Sequence, residues 1–163
     1  MAASVILFIA AIIFLGFNSS STATEQVDGG MQFTYSGARG PYNWGRLSPK
    51  FDKCSNGKSQ SPINIVKHKA VINNKLKPLI RDYKSAINVT LLNYGFIVGM
   101  QYPNNSGILM VDGKKYSLKQ MHWHSPSEHR IDGLQFDAEL HLVHVADDHN
   151  ISVVGILLQI WTQ

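Results

Sequence analysis

Five of the seven histidines lie between residues 122 and 144, in Gln120-Met121-His122-Trp123-His124, in the following Ser125-Pro126-Ser127-Glu128-His129, and in Ala138-Glu139-Leu140-His141-Leu142-Val143-His144. Neutral imidazole is the commonest metal ligand among side chains. On a β-strand residues i and i+2 share a face, so Gln120, His122 and His124 point one way while Met121 and Trp123 point the other. In the second segment Glu139, His141 and Val143 share a face. If the two strands are neighbours, His122, His124 and His141 converge on one point. Three imidazoles without a fourth protein ligand are the donor set of a catalytic zinc site with one open position. A metal-bound imidazole normally passes its other N–H to an oxygen, which fixes the tautomer and the ring plane. Gln120 and Glu139 each stand two residues before a candidate ligand and on its face, so either can supply that oxygen, including to a histidine on the neighbouring strand. His-x-His alone is a weak signal; the Glu-x-His strand and the adjacent Ser127-Glu128-His129 strengthen it. His68, His129, His144 and His149 do not converge with the triad and read as surface or network histidines.

The elements that must carry these residues are short and β-rich. Stretches 86–92, 96–100, 107–111, 115–124, 138–145 and 151–160 are each bounded by turn signals such as Asn93-Tyr94-Gly95, Pro103 to Gly107, or Asp112-Gly113. Residues 25–62, rich in Gly, Pro, Ser, Asn and Asp, read as an irregular segment. No amphipathic helix of three turns stands out, although Asn73 to Tyr83 has room for a short one. The fold class expected is mainly β, a largely antiparallel sheet with few short helices. Val153 to Trp161 is almost wholly apolar, so as a strand it must be covered on both faces.

The 163 residues are 44% hydrophobic and 16% charged, the composition of a globular chain with one domain's worth of core. The formal charge of +4 is unevenly placed: Lys50, Lys53, Lys58, Lys67, Lys69, Lys75, Lys77, Arg81 and Lys84 face only Asp52 and Asp82 in that stretch. No RNA-binding aromatic signature, zinc-knuckle spacing or glycine-rich phosphate loop accompanies them, so they read as a solvated basic surface and no nucleic-acid partner is expected. The first 24 residues carry no charged side chain, and Val5 to Phe17 is an apolar run of 13. It is too short to span a bilayer comfortably and is followed by small polar residues, as in a secretory signal peptide; an N-terminal core helix is the other reading. Residues 1–23 are therefore expected to be a signal, with no stable membrane span after its removal. In an oxidising compartment the single Cys54 is an odd cysteine. Asn88-Val-Thr90, Asn104-Asn-Ser106 and Asn150-Ile-Ser152 are N-glycosylation acceptors consistent with secretion.

With these residues in view, the chain resembles the α-class carbonic anhydrases, and Trp123-His-Ser-Pro-Ser-Glu-His129 resembles the plant branch. The similarity runs from about Phe33 to Ile160, through Tyr35-Ser-Gly, Gly40-Pro-Tyr-Asn-Trp44, Gln60-Ser-Pro-Ile-Asn-Ile65, Leu92 to Gly95, Gln120 to Glu128 and Ala138 to His144. The resemblance implies zinc-dependent reversible hydration of carbon dioxide to bicarbonate and a proton. It implies His122, His124 and His141 as Zn2+ ligands supported by Gln120 and Glu139. Glu128 matches the glutamate that accepts a hydrogen bond from a threonine, Val143 and Val153 match the apolar wall of the substrate pocket, and Tyr35 and Asn93 match the solvent network. Phe96 occupies the position where efficient members place a proton-shuttling histidine.

The resemblance also implies that residues 24–163 are a partial domain. The family's domain continues beyond this C-terminus, through further strands, the threonine partner of Glu128 and the cysteine that commonly bridges the one matching Cys54. Related plant proteins serve as storage proteins and other relatives as binding modules, so a non-catalytic storage or binding protein is the alternative. Retention of all three zinc histidines favours the enzyme. The expected destination is the secretory pathway and the apoplast, or a plastid reached by the same route; the oligomeric state is not indicated.

Overall fold

A computed structural model describes residues 33–93 and 97–160 of the chain. The expected signal peptide and Phe96 lie outside the described residues. The described residues fall into two compact units, 33–60 and 61–160.

The first unit contains single-turn helices, including α1 (Trp44–Leu47) and α2 (Lys53–Asn56). Gly, Pro and Ser at close spacing give each helix an early stop, as the composition indicated. Its centre is Trp44, whose indole N–H donates to the carbonyls of Thr34 and Arg39 at 3.0 and 3.1 Å. Phe33 and Tyr35 meet the same ring edge-on, each with its centroid 5.3 Å away. Cys54, in α2, is exposed.

The second unit is a sheet protein. Its strands are β1 (Asn64–Ile65), β2 (Ile80–Tyr83), β3 (Thr90–Asn93), β4 (Val98–Gln101), β5 (Gly107–Val111), β6 (Lys114–His124), β7 (Arg130–Ile131), β8 (Leu134–Gln135), β9 (Ala138–Val145) and β10 (Ile151–Leu158). Seven of them form an antiparallel sheet with the path β10-β9-β6-β4-β3, in which β5 joins β6 and β2 joins β5. A small sheet β1-β7-β8 stands beside it, with β1 and β7 parallel. The expected mainly β class is therefore what forms. The short helix for which 73–83 had room is not present: Pro78 removes a backbone donor and pushes its predecessor to extended backbone, and β2 then pairs with β5.

Long β6 carries the feature that orients the site. Its register against β9 runs Ser117↔Val145 and Leu118↔His144, then resumes at Gln120↔Val143, so Lys119 is an extra residue. Such a bulge reverses which face the following residues use. Tyr116 and Leu118, before the bulge, are 1% and 4% exposed and lie in the core. Gln120, His122 and His124, after it, point to the opposite face. The core on the first face gathers Leu109, Val111, Tyr116, Ala146 and Val154, with Leu142 and Ile156 packed against them. Strict alternation from Leu118 onward would have placed that leucine beside the histidines.

Candidate metal centre

Cross-strand register brings the triad together. His122 stands directly opposite His141, with His124 opposite Glu139 and Gln120 opposite Val143. The three imidazole centroids are 4.8, 5.0 and 5.2 Å apart, with rings steeply inclined to one another. One nitrogen from each lies within 4.8 Å of the others. The opposite nitrogens are held by oxygens: His122 Nδ1 lies 2.8 Å from Gln120 Oε1, and His141 Nε2 lies 2.8 Å from Glu139 Oε1. Both supports act on a histidine of their own strand, two residues on. That leaves Nε2 of His122 and Nδ1 of His141 to face the centre. Nε2 of His124 and Nδ1 of His141 lie 3.3 and 3.7 Å from Glu128 Oε2, so the Glu128 carboxylate stands beside the converging nitrogens.

The electrostatics suit neutral ligands. Burial, then the repulsion of the neighbouring imidazoles, pushes both His122 and His124 down to about 4. Burial alone would raise Glu139, but hydrogen bonds from His129, His141 and the backbone outweigh it and hold the carboxyl well below the usual carboxylate range. A charged, fully buried carboxylate is tolerated because it is saturated with donors. Its Oε2 accepts the backbone N–H groups of Glu128 and His129 at 2.9 and 2.8 Å, and its Oε1 lies 2.5 Å from His129 Nδ1.

Two members of the site were not found from the sequence. His129 is 6% exposed and reaches the triad through Glu139, which corrects its assignment to residues that do not converge. It sits in the loop between β6 and β7, where strand alternation has nothing to say. The loop is pinned by Ser127, whose Oγ donates to the His129 carbonyl and accepts the Phe136 N–H, each at 2.8 Å. The other is Gly155, opposite His141 on β10. A Cβ there would stand 2.7 Å from Glu139 Oε1, so only glycine leaves room for the carboxylate.

The remaining expected residues fall as follows. Val143 and Val153 face each other across β9 and β10, half-buried, on the histidine face. Asn93 ends β3 opposite Val98. Tyr35 lies in the first unit against Trp44. His144 is fully buried on the other face, with Nε2 3.0 Å from the Tyr83 hydroxyl. All nine basic residues between 50 and 84 are exposed.

The donor set fits zinc: three imidazoles, two of them oriented by oxygens, and a position left open. His129, Glu139 and His141 also lie close enough to hold an ion. Glu139, however, is already engaged by three hydrogen-bond donors and lies 2.8 Å from His141 Nε2, which makes this group the support of the triad.

The sequence profile of eukaryotic-type carbonic anhydrases matches residues 39–159. The chain belongs to the carbonic anhydrase family. It is 37% identical over 148 residues to alpha carbonic anhydrase 7 of Arabidopsis thaliana, covering 90% of this chain and 54% of that protein. Dioscorin dioA3 of Dioscorea japonica is 35% identical over 98% of this chain and 58% of its own length. The α-carbonic anhydrase of Thermovibrio ammonificans, solved with the inhibitor sulfanilamide, superposes with a TM-score of 0.70 at 38% identity, over 83% of this chain and 58% of that one. A dioscorin solved with ascorbate superposes with a TM-score of 0.72 at 37% identity, over 80% and 55%. The chain thus spans a little over half the length of each of these relatives. No helix among its described residues is long and apolar enough to cross a membrane.

Proposed function

We propose that this chain is a zinc-dependent carbonate dehydratase acting on carbon dioxide and bicarbonate. The observation that carries the reading is the convergence of His122, His124 and His141 with the outward nitrogens of two of them already held by Gln120 and Glu139. His122, His124 and His141 would hold the ion. A zinc ion bound there supplies a nucleophilic oxygen at neutral pH by lowering the pKa of water from 15.7 to about 7. The protein's part is to keep its ligands neutral and aimed: burial strips protons from His122 and His124, and Glu139 raises the basicity of His141. Glu128, beside the ligand nitrogens, is placed to accept a hydrogen bond at the open position. Val143 and Val153 offer an apolar wall for a small uncharged substrate. Tyr35 and Asn93 are assigned to the solvent network by resemblance. Phe96 cannot carry a proton, so proton export falls to water and buffer, and small imidazole buffers raise turnover.

The test is carbon dioxide hydration by purified chain, followed by stopped flow with and without a sulfonamide. Sulfonamide-sensitive hydration above the buffer rate supports the reading; a zinc-loaded chain with none overturns it. The likeness to dioscorins, one of them solved with ascorbate, favours a second reading as a non-catalytic binding or storage protein, in which the triad survives without turnover. The uncharged, apolar N-terminal stretch supports entry into the secretory pathway, with the apoplast or a plastid as destination.

A further inference from the structure

We propose that Asn88 is the glycosylated asparagine of this chain, and that Asn104 and Asn150 are not used; the assignment rests on the secretory reading above. All three stand in Asn-x-Ser/Thr sequences, yet their surroundings differ. Asn88 lies in the irregular stretch between β2 and β3, and it, Val89 and Thr90 are all exposed. Among the described residues no hydrogen bond holds its side chain.

The other two are folded into turns. Asn104 Oδ1 accepts from Lys119, Asn105 adopts a left-handed φ of 65°, and Ser106 is 2% exposed with its Oγ donating to the Pro103 carbonyl at 2.6 Å. Asn150 closes the β9–β10 turn: its Nδ2 donates to Asp148 at 2.9 Å and its carbonyl accepts the Ala146 N–H. Ser152, two residues on, is 3% exposed within β10. In both, the hydroxyl that an acceptor sequence must present is buried; the Asn150 turn closes the β9–β10 hairpin, a local contact of the kind that forms first, and the Asn104 turn joins β4 to β5, which both pair with β6.

The reaction needs an oligosaccharide carried on a lipid diphosphate. Nδ2 of Asn88 attacks the anomeric carbon; a C1–N bond forms, the C1–O bond to the diphosphate breaks, one amide proton passes to a base of the transferase, and the lipid diphosphate leaves with the electron pair. Among the described residues β3 pairs only with β4, and Leu91 on it is 65% exposed; a glycan two residues before β3 adds a bulky, solvated group beside that strand.

The experiment is translation of the full chain with microsomes, read by protease protection and by glycosidase-sensitive mobility. The expected result is a protected chain carrying one glycan, whose mobility step is lost in Asn88→Gln and in Thr90→Ala, kept in Thr90→Ser, and unchanged in Asn104→Gln and Asn150→Gln. A protected chain whose shift is removed by Asn104→Gln or Asn150→Gln, or which carries no glycan, overturns the assignment alone. A chain left unprotected overturns the secretory reading and the assignment with it.

Discussion

Oε1 of Glu139 lies 2.8 Å from Nε2 of His141, and the same oxygen lies 2.5 Å from Nδ1 of His129. One buried carboxylate therefore stands between His141 on its own strand and His129 in a loop. Replacing the charge but keeping the shape, Glu139→Gln, is expected to lower zinc affinity by about 10 to 100-fold. His129→Ala, which frees Oε1 from its second partner, should lower it in the same direction by less. Competition against a chromophoric chelator measures both; unchanged affinity in Glu139→Gln would show that the carboxylate does not support the site.

Gly155 offers a second handle on the same oxygen. The end of a glutamate side chain ordinarily moves aside, but this one is held by three hydrogen-bond donors with His141 Nε2 2.8 Å away, so a methyl group 2.7 Å away cannot be accommodated cheaply. Gly155→Ala should destabilise the chain by about 1–3 kcal/mol and weaken zinc binding together. A variant with wild-type affinity and wild-type denaturation midpoint would mean that Glu139 has another place to go.

Acid should destabilise the metal-free chain in a defined window. The ordinary histidine value is 6.5, and folding brings His122 and His124 to about 4, so between those values the unfolded chain binds more protons. Their contribution is complete above about pH 6.5 and is lost as pH falls toward 4; burial lowers His144 as well and acts in the same direction. Glu139, held below its ordinary 4.5, loses its contribution only under that value. Urea midpoints taken between pH 7.5 and 4.5 should fall, and His122→Gln combined with His124→Gln should flatten the slope. A slope the double variant leaves intact would assign it to other groups.

On the opposite face, the Tyr83 hydroxyl lies 3.0 Å from Nε2 of fully buried His144, whose Nδ1 lies 3.3 Å from the Ser152 carbonyl. Tyr83→Phe leaves a buried ring nitrogen without that partner and is expected to cost about 1–3 kcal/mol of stability, with zinc affinity unchanged. Chemical denaturation and chelator competition on the same sample separate the two.

What the sequence made legible follows from how local each signal is. Period-two alternation places His122 with His124, and Glu139 with His141, because it needs only one strand. That His122 faces His141, and that the Lys119 bulge turns Leu118 into the core and Gln120 out of it, depends on pairing between strands, which alternation does not encode. His129 was missed because loop positions have no period, and Gly155 because its small size matters only to a carboxylate on the next strand. The helix that 73–83 had room for yielded to a pairing partner 30 residues away, Ile80 with Met110.

Zinc content of the purified chain tests the central claim most directly. After growth with zinc, mass spectrometry under native conditions should find one zinc per chain in the unaltered protein, and none in His122→Ala, His124→Ala or His141→Ala. A folded, metal-free chain, or zinc retained in all three variants, would contradict the assignment of these histidines as the metal centre.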